Sequence, residues 1–220
     1  GRPDSGATRG MVIAHLQEMV TATDVPVNAD FESGFAADAA GVAESVRLAI
    51  DAGVAGLSIE DSTGDATRPL YDVDVAVERM RAARLTIDQA GGDALLVGRS
   101  EGFIAGRPDL DETIARLKAY SRAGADCLYA PGIRSREQIA AVVAAVAPKP
   151  VNLLVGWPAE FTVPDIAALG VHSMRVVLYW HDVAPEPDSR IKPKFDETDP
   201  ASYNWGAYDQ VVDGIKQRGW

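Results

Sequence analysis

Three short joints constrain this chain more than any other feature. Ala52-Gly-Val-Ala55, Ala123-Gly-Ala-Asp126 and Leu169-Gly-Val-His172 each stand between a helix-like stretch and an apolar run. A glycine just past a helix end supplies the left-handed backbone that stops the helix, and the small residue after it opens the next strand. A chain that repeats this joint alternates helix and strand. Such alternation, with strands apolar on both faces, builds a parallel sheet covered by helices. A second echo agrees, since Val25-Pro-Val-Asn28 and Lys149-Pro-Val-Asn152 each open a strand.

Apolar periodicity then places the elements. Helices are predicted at 8–22, 40–52, 74–90, 110–122, 135–146 and 164–169. Strands are predicted at 26–30, 54–59, 94–98, 126–130, 151–155 and 173–179. A polar segment at 62–72 is long enough to serve as a flap. The expected fold class is α/β, a parallel sheet of about six strands covered by helices, and the whole of 1–220 is expected to form a single domain.

Composition narrows the partners. A net charge of −11 and a pI near 4.7 argue against nucleic acid or an anionic membrane surface. Cys127 is the single cysteine, so no internal disulfide can form. No membrane-length apolar run and no signal segment stand out, and a cytoplasmic location is expected. The start Gly-Arg-Pro-Asp-Ser-Gly lacks an initiator Met and reads as a cut or processed beginning.

Function in α/β folds collects at the C-terminal ends of strands. Those ends carry Asp30 and Glu32, then Glu60 and Asp61, then Arg99 and Glu101, then Tyr129 and Trp157. Side chains two apart share a face of a strand, so Asp30 and Glu32 are expected to project together with Phe31 turned away. Neighbouring carboxylates repel unless a cation or a shared proton holds them. Two readings fit: an ion-pair network that lets charged strand ends coexist, or a Mg²⁺ site with few carboxylate ligands and several waters. In the second, Arg99 could clamp a substrate carboxylate. No phosphate-cradling glycine loop follows the first strand.

Several stretches together resemble the isocitrate lyase / phosphoenolpyruvate mutase superfamily. They are Gly1-Arg-Pro-Asp4, Asn28-Ala-Asp-Phe-Glu-Ser-Gly34, Gly53-Val-Ala-Gly-Leu-Ser-Ile-Glu-Asp61, Val97-Gly-Arg-Ser-Glu-Gly-Phe-Ile-Ala-Gly106 and Ala123-Gly-Ala-Asp126. The resemblance covers roughly residues 1–175. It implies a (β/α)8 barrel that binds Mg²⁺ and a small 2-oxo-acid or phosphonate substrate, and that makes or breaks C–C or P–C bonds. It also implies roles. Asp30 would ligate the metal directly, with Glu32 and Glu60 holding metal-bound waters. Asp4 would belong to a mobile catalytic loop. Arg99 would face the substrate carboxylate or enolate oxygen, with Glu101 either orienting it or serving only as a local ion-pair partner, and Ser33 and Gly34 would contact substrate.

The chain departs from that family in three places. Segment Ser62-Thr-Gly-Asp-Ala-Thr-Arg-Pro-Leu70 has neither Cys nor His where the true lyases carry both, which disfavours thiol acid–base chemistry. The first two barrel strands are missing, so the resemblance implies an incomplete (β/α)8 TIM-barrel type. It would be a single partial barrel domain over 1–220 with 173–220 as a distinct strand–helix tail, whose two open edges invite a homo-oligomer that completes the barrel. From about Gly170 the tail resembles a strand–helix unit of clan-A glycoside hydrolases instead, as in a recombined or engineered barrel chimera. Three functions follow: a Mg²⁺-dependent lyase, decarboxylase or hydrolase; a carbohydrate-active or sugar-binding module through Trp180, His181 and Asp182; or a folded chimera without turnover. Packing is the alternative role for those tail residues and for Tyr203, Trp205 and Tyr208. His15 and His172 read as structural.

Overall fold

The computed structural model describes residues 6–155 and 161–219. Asp4 and the rest of the first resembling stretch, and Trp157, lie outside the described residues. The chain divides into two compact units, Gly1–Leu153 and Leu154–Trp220.

The first unit runs α1 (Arg9–Ala22), β1 (Asn28–Asp30), α2 (Ala39–Asp51), β2 (Gly56–Glu60), α3 (Val73–Gln89), β3 (Leu95–Arg99), α4 (Leu110–Arg122), β4 (Cys127–Tyr129) and α5 (Arg136–Val146), and enters β5 (Val151–Val155). Successive strands pair in parallel, with Asp30 opposite Ser58, Glu60 opposite Arg99, Arg99 opposite Tyr129 and Tyr129 opposite Asn152. The second unit continues with α6 (Val163–Ala168), β6 (Ser173–Val176), α7 (Trp180–Val183), a 3₁₀ turn at Pro200–Ser202 and α8 (Gly206–Lys216). Within the first unit strand order follows chain order, β1-β2-β3-β4-β5. Six parallel strands alternating with helices are the expected incomplete (β/α)8 arrangement.

The joints do what their sequence requires. Gly53, Gly124 and Gly170 all take positive φ, at 92°, 108° and 82°. Helix starts are fixed just as locally. Thr8, Asp38, Asp109, Ser135 and Thr162 each cap a helix by accepting from its first-turn amides. Between these stops, β2 buries every residue except Glu60, as a strand covered on both faces must. The helices meet the sheet through Val42, Val46 and Ala49 of α2, Met80, Ala83 and Ile87 of α3, and Leu117 and Tyr120 of α4.

Several strands are shorter than their sequence suggests, and for β1 and β6 the structure shows why. β1 begins at Asn28 rather than residue 26, where Pro26 has no amide to give a ladder. β6 stops at Val176 because Tyr208 takes over the backbone beyond it. Its hydroxyl accepts from the Tyr179 amide at 3.0 Å and lies 3.3 Å from the Val177 carbonyl.

Helix α4 lies so close on β3 that only hydrogen fits at position 98. A Cβ there would stand 2.9 Å from the Tyr120 Cβ and 3.0 Å from the Ala125 Cβ. Gly98→Ala is therefore expected to lower stability by about 1–3 kcal/mol, the usual cost of overpacking, in a thermal or urea melt.

Candidate active site at the strand ends

The last residues of β1, β2 and β3 deliver their side chains to one cavity of about 520 Å³, lined by Asp30, Glu32, Glu60, Ser62, Gly64, Arg99, Glu101 and Ile104. Four of these are carboxylates and one is a cation. Arg99 stands among them. Its Nη1 donates to both Asp30 oxygens at 3.1 and 2.9 Å, its Nε donates to Glu101, and Glu60 lies 3.5 Å from the same Nε. The guanidinium carbon sits 5.3 Å from the centroid of the Tyr129 ring, a cation–π contact.

Asp30 and Glu32 do share this cavity, but strand alternation is not the cause. β1 ends at Asp30, and Glu32 has turned into the left-handed region at φ 46°. There its carbonyl accepts from the Glu60 amide at 3.0 Å, which ties the turn to the end of β2. Phe31 is fully buried on the other side, as its spacing requires. Gly34, at φ 86°, closes the turn and bonds back to the Phe31 carbonyl at 2.9 Å.

Neither Ser33 nor Gly34 is among the residues lining the cavity. The Ser33 carbonyl instead accepts from Arg79, a residue not anticipated from the sequence. Arg79 is buried on α3, and its guanidinium donates to the carbonyls of Ser33, Ala36 and Ala37 and stacks on Tyr71. It clamps the loop that carries Glu32. The signal was present: Ala76, Arg79, Met80, Ala83 and Ile87 fall at helical spacing on one buried stripe.

Asp61 also departs from its expected place at the rim. It points inward, 1% exposed, and meets Ser100, the Glu101 amide, Arg116 and Tyr120. Segment 62–70 folds on itself, with Ser62 and Leu70 bridged antiparallel and Thr63 bonded to Pro69. In the second unit, His181 lies between Asp182 and Asp188. Tyr203 packs on Phe195 and Trp205, so these rings hold the loop before α8.

Crowding sets the protonation of the site. Glu60 is pushed up to about 8 by burial first and then by the negative charge of Glu101, with Arg99 opposing and Asp30 and Glu32 adding. Burial also raises Glu101, against the pull of its bond to Arg99. Arg99 loses solvation on burial, yet the Glu101 bond and the surrounding carboxylates raise it above an ordinary guanidinium. The site holds more negative charge than one arginine can balance.

Among the described residues, no group of three or more His, Cys, Asp or Glu side chains is gathered tightly enough to hold an ion directly. The carboxylates that face the cavity, Asp30, Glu32, Glu60 and Glu101, are the side chains there that could hold a cation, directly or through water.

Comparison with known proteins now places the chain. Residues 1–179 match the family described as phosphoenolpyruvate phosphomutase, so the chain belongs to that family, within the isocitrate lyase / phosphoenolpyruvate mutase superfamily. It is 33% identical over 171 residues to an oxaloacetate decarboxylase of Bradyrhizobium diazoefficiens, covering 76% of this chain and 56% of that protein. Among solved structures, a lyase/mutase-type protein of Burkholderia cenocepacia J2315 is 44% identical with a TM-score of 0.75, covering 77% of this chain and 61% of the other. Oxaloacetate acetylhydrolase in complex with the product oxalate is 29% identical with a TM-score of 0.70, covering 77% and 60%. The chain thus spans little more than half the length of the relatives it matches, and residues 180–220 lie outside the family match.

Proposed function

We propose that the rim cavity binds Mg²⁺ and a small 2-oxo-acid, and that the protein is a lyase of the decarboxylase type. The observation that carries this reading is the convergence of Asp30, Glu32, Glu60 and Glu101 on one cavity, with Arg99 as the only cation in its lining among the described residues. Asp30, half exposed, would hold the ion directly, and Glu32 and Glu60 would hold it through water. The bound ion would supply a positive charge beside the oxygen that becomes an enolate when the bond next to a 2-oxo group breaks.

The chain's own residues do the rest. Arg99 presents two donors in a fixed fork, suited to a planar carboxylate. In the present structure that fork rests on Asp30, so its Nη donors would be free for a substrate carboxylate only once this pairing is released. Segment 62–70 contributes Ser62 and Gly64 to the cavity wall and offers no thiol or imidazole. Loss of carbon dioxide needs an electron sink rather than a base to break the bond. A cavity whose described lining holds neither thiol nor imidazole therefore favours decarboxylation over thiol-assisted cleavage.

Calorimetry with Mg²⁺ and oxalate, a mimic of the enolate, tests this. Oxalate is expected to bind only with Mg²⁺ present, and Asp30→Ala is expected to abolish that binding. Oxalate binding that ignores either Mg²⁺ or Asp30 would overturn the assignment. A second reading is a folded chain that keeps the ligands without turnover, favoured by β1, which pairs only with β2 among the described residues. It predicts oxalate binding with no Mg²⁺-dependent consumption of oxaloacetate.

A further inference from the structure

We infer that Asp61 is a positioning residue for Arg99, acting through Glu101; the inference rests on the reading of the rim as a substrate site. Asp61 Oδ1 accepts from the Glu101 amide at 2.8 Å. Its Oδ2 accepts from Tyr120 at 2.6 Å and from Ser100 and Arg116 at 3.2 Å each. These donors come from the segment after β3 and from α4, so one buried carboxylate fixes where that segment leaves the sheet.

Glu101 is thereby held at its amide. Its carbonyl is held as well, by the amides of Ile104 and Ala105 at 3.0 and 2.8 Å. With both ends of its backbone fixed, its side chain, only 6% exposed, has one bonded direction, toward Arg99 Nε. Engaging Nε leaves the Nη groups to face the cavity, and Nη1 is the group found on Asp30. The order of dependence is Asp61, then Glu101, then the Arg99 fork.

Tyr120 shows what Asp61 requires of its neighbours. Burial, and then the charge of Asp61, hold the phenol well above its usual range, so it remains a donor. Arg116 is tied in parallel to Glu112 and to the Tyr71 carbonyl, and keeps those partners if Asp61 changes. Asp61→Asn is therefore a usable probe. It keeps the size and one acceptor and loses the charge that gathers four donors.

A purely architectural role would also weaken binding, so the test is a double-mutant cycle over Asp61→Asn and Glu101→Gln. The readouts are oxalate affinity at saturating Mg²⁺ and the ¹⁵N–¹H resonance of Arg99 Nε in the metal-free protein. Each single change is expected to weaken oxalate binding by roughly tenfold, the scale of lost outer support in metal sites. The double variant is expected to be no weaker than the poorer single, because both act on one path. Losses that multiply, or an Asp61→Asn protein that binds oxalate normally, overturn the inference.

If Asp61→Asn does not fold, Ser100→Ala and Tyr120→Phe each remove one donor to Oδ2. They are expected to lower oxalate affinity by a few-fold, and wild-type affinity in both overturns the inference. Should the wild-type chain fail to bind oxalate at all, the proposed function falls, but the Arg99 Nε resonance still decides the role of Asp61. Its displacement in folded Asp61→Asn supports the path, and an unmoved resonance refutes it.

Discussion

Arg79→Met is expected to lower the stability of the protein by about 3–5 kcal/mol, the range for stranding buried polar partners of a removed charge. For a chain of 220 residues that corresponds to a thermal midpoint lower by about 10 °C. Methionine would fill the space and remove the cost of burying a guanidinium, which by itself favours the variant. The three carbonyls decide the sign. Those of Ser33, Ala36 and Ala37 now converge on one charged donor, and a thioether answers none of them. The loop behind Glu32 should loosen with them, so Mg²⁺ affinity is expected to fall alongside the melting temperature. Arg79→Lys keeps the charge but has one small ammonium to span three acceptors, and should recover only part of the loss. A methionine variant that melts and binds like the parent would show that the loop holds itself.

The second large effect is a dependence of stability on pH that runs opposite to ordinary acid denaturation. Glu60 rises from 4.5 in the unfolded chain to about 8 in the fold. Between those values the folded protein keeps a proton that the unfolded chain has released. The stabilisation is complete below about pH 4.5 and is lost progressively as pH rises through about 8. At about 1.4 kcal/mol for each pH unit between the two values, the loss amounts to a few kcal/mol. The side chain is 14% exposed, so solvent screening trims this only modestly. In metal-free protein the midpoint should therefore fall from pH 5 to 8, and Glu60→Gln should flatten that slope and melt above the parent at pH 8. Mg²⁺ favours the ionised form, so its uptake at pH 7 should release close to one proton, read by calorimetry in buffers of different ionisation enthalpy. A glutamine variant with the parent's slope would place the titration elsewhere.

The alternation of helix and strand was legible because its signals are local. A capping side chain or a joint glycine acts within four residues, and the sequence displays both partners. The acidic rim was legible for a different reason: parallel strands bring their last residues to one edge whatever the loops do. The direction of individual side chains was harder to read. The two-residue alternation used for Asp30 and Glu32 holds only inside a strand, and the strand stops between them. Asp61 lies one residue past the end of β2, so the same rule does not place it either, and it turns inward to its buried donors. Arg79 and Arg116 are hidden in the sequence because charge ordinarily signals exposure, although both stand on buried helical stripes. The pairing of Arg99 with Asp30, 69 residues apart, has no local signal and needs the sheet to exist first.

Strand order that follows chain order has a consequence for how such a protein comes off the ribosome. Each new strand finds its neighbour in the one made just before it, so no partner has to wait for a distant segment. Asp30, Glu60 and Arg99 arrive one per strand, and their supports Arg79, Asp61, Arg116 and Tyr120 all precede residue 121. The rim can thus assemble vectorially, closing its ion pairs while the later helices are still being translated.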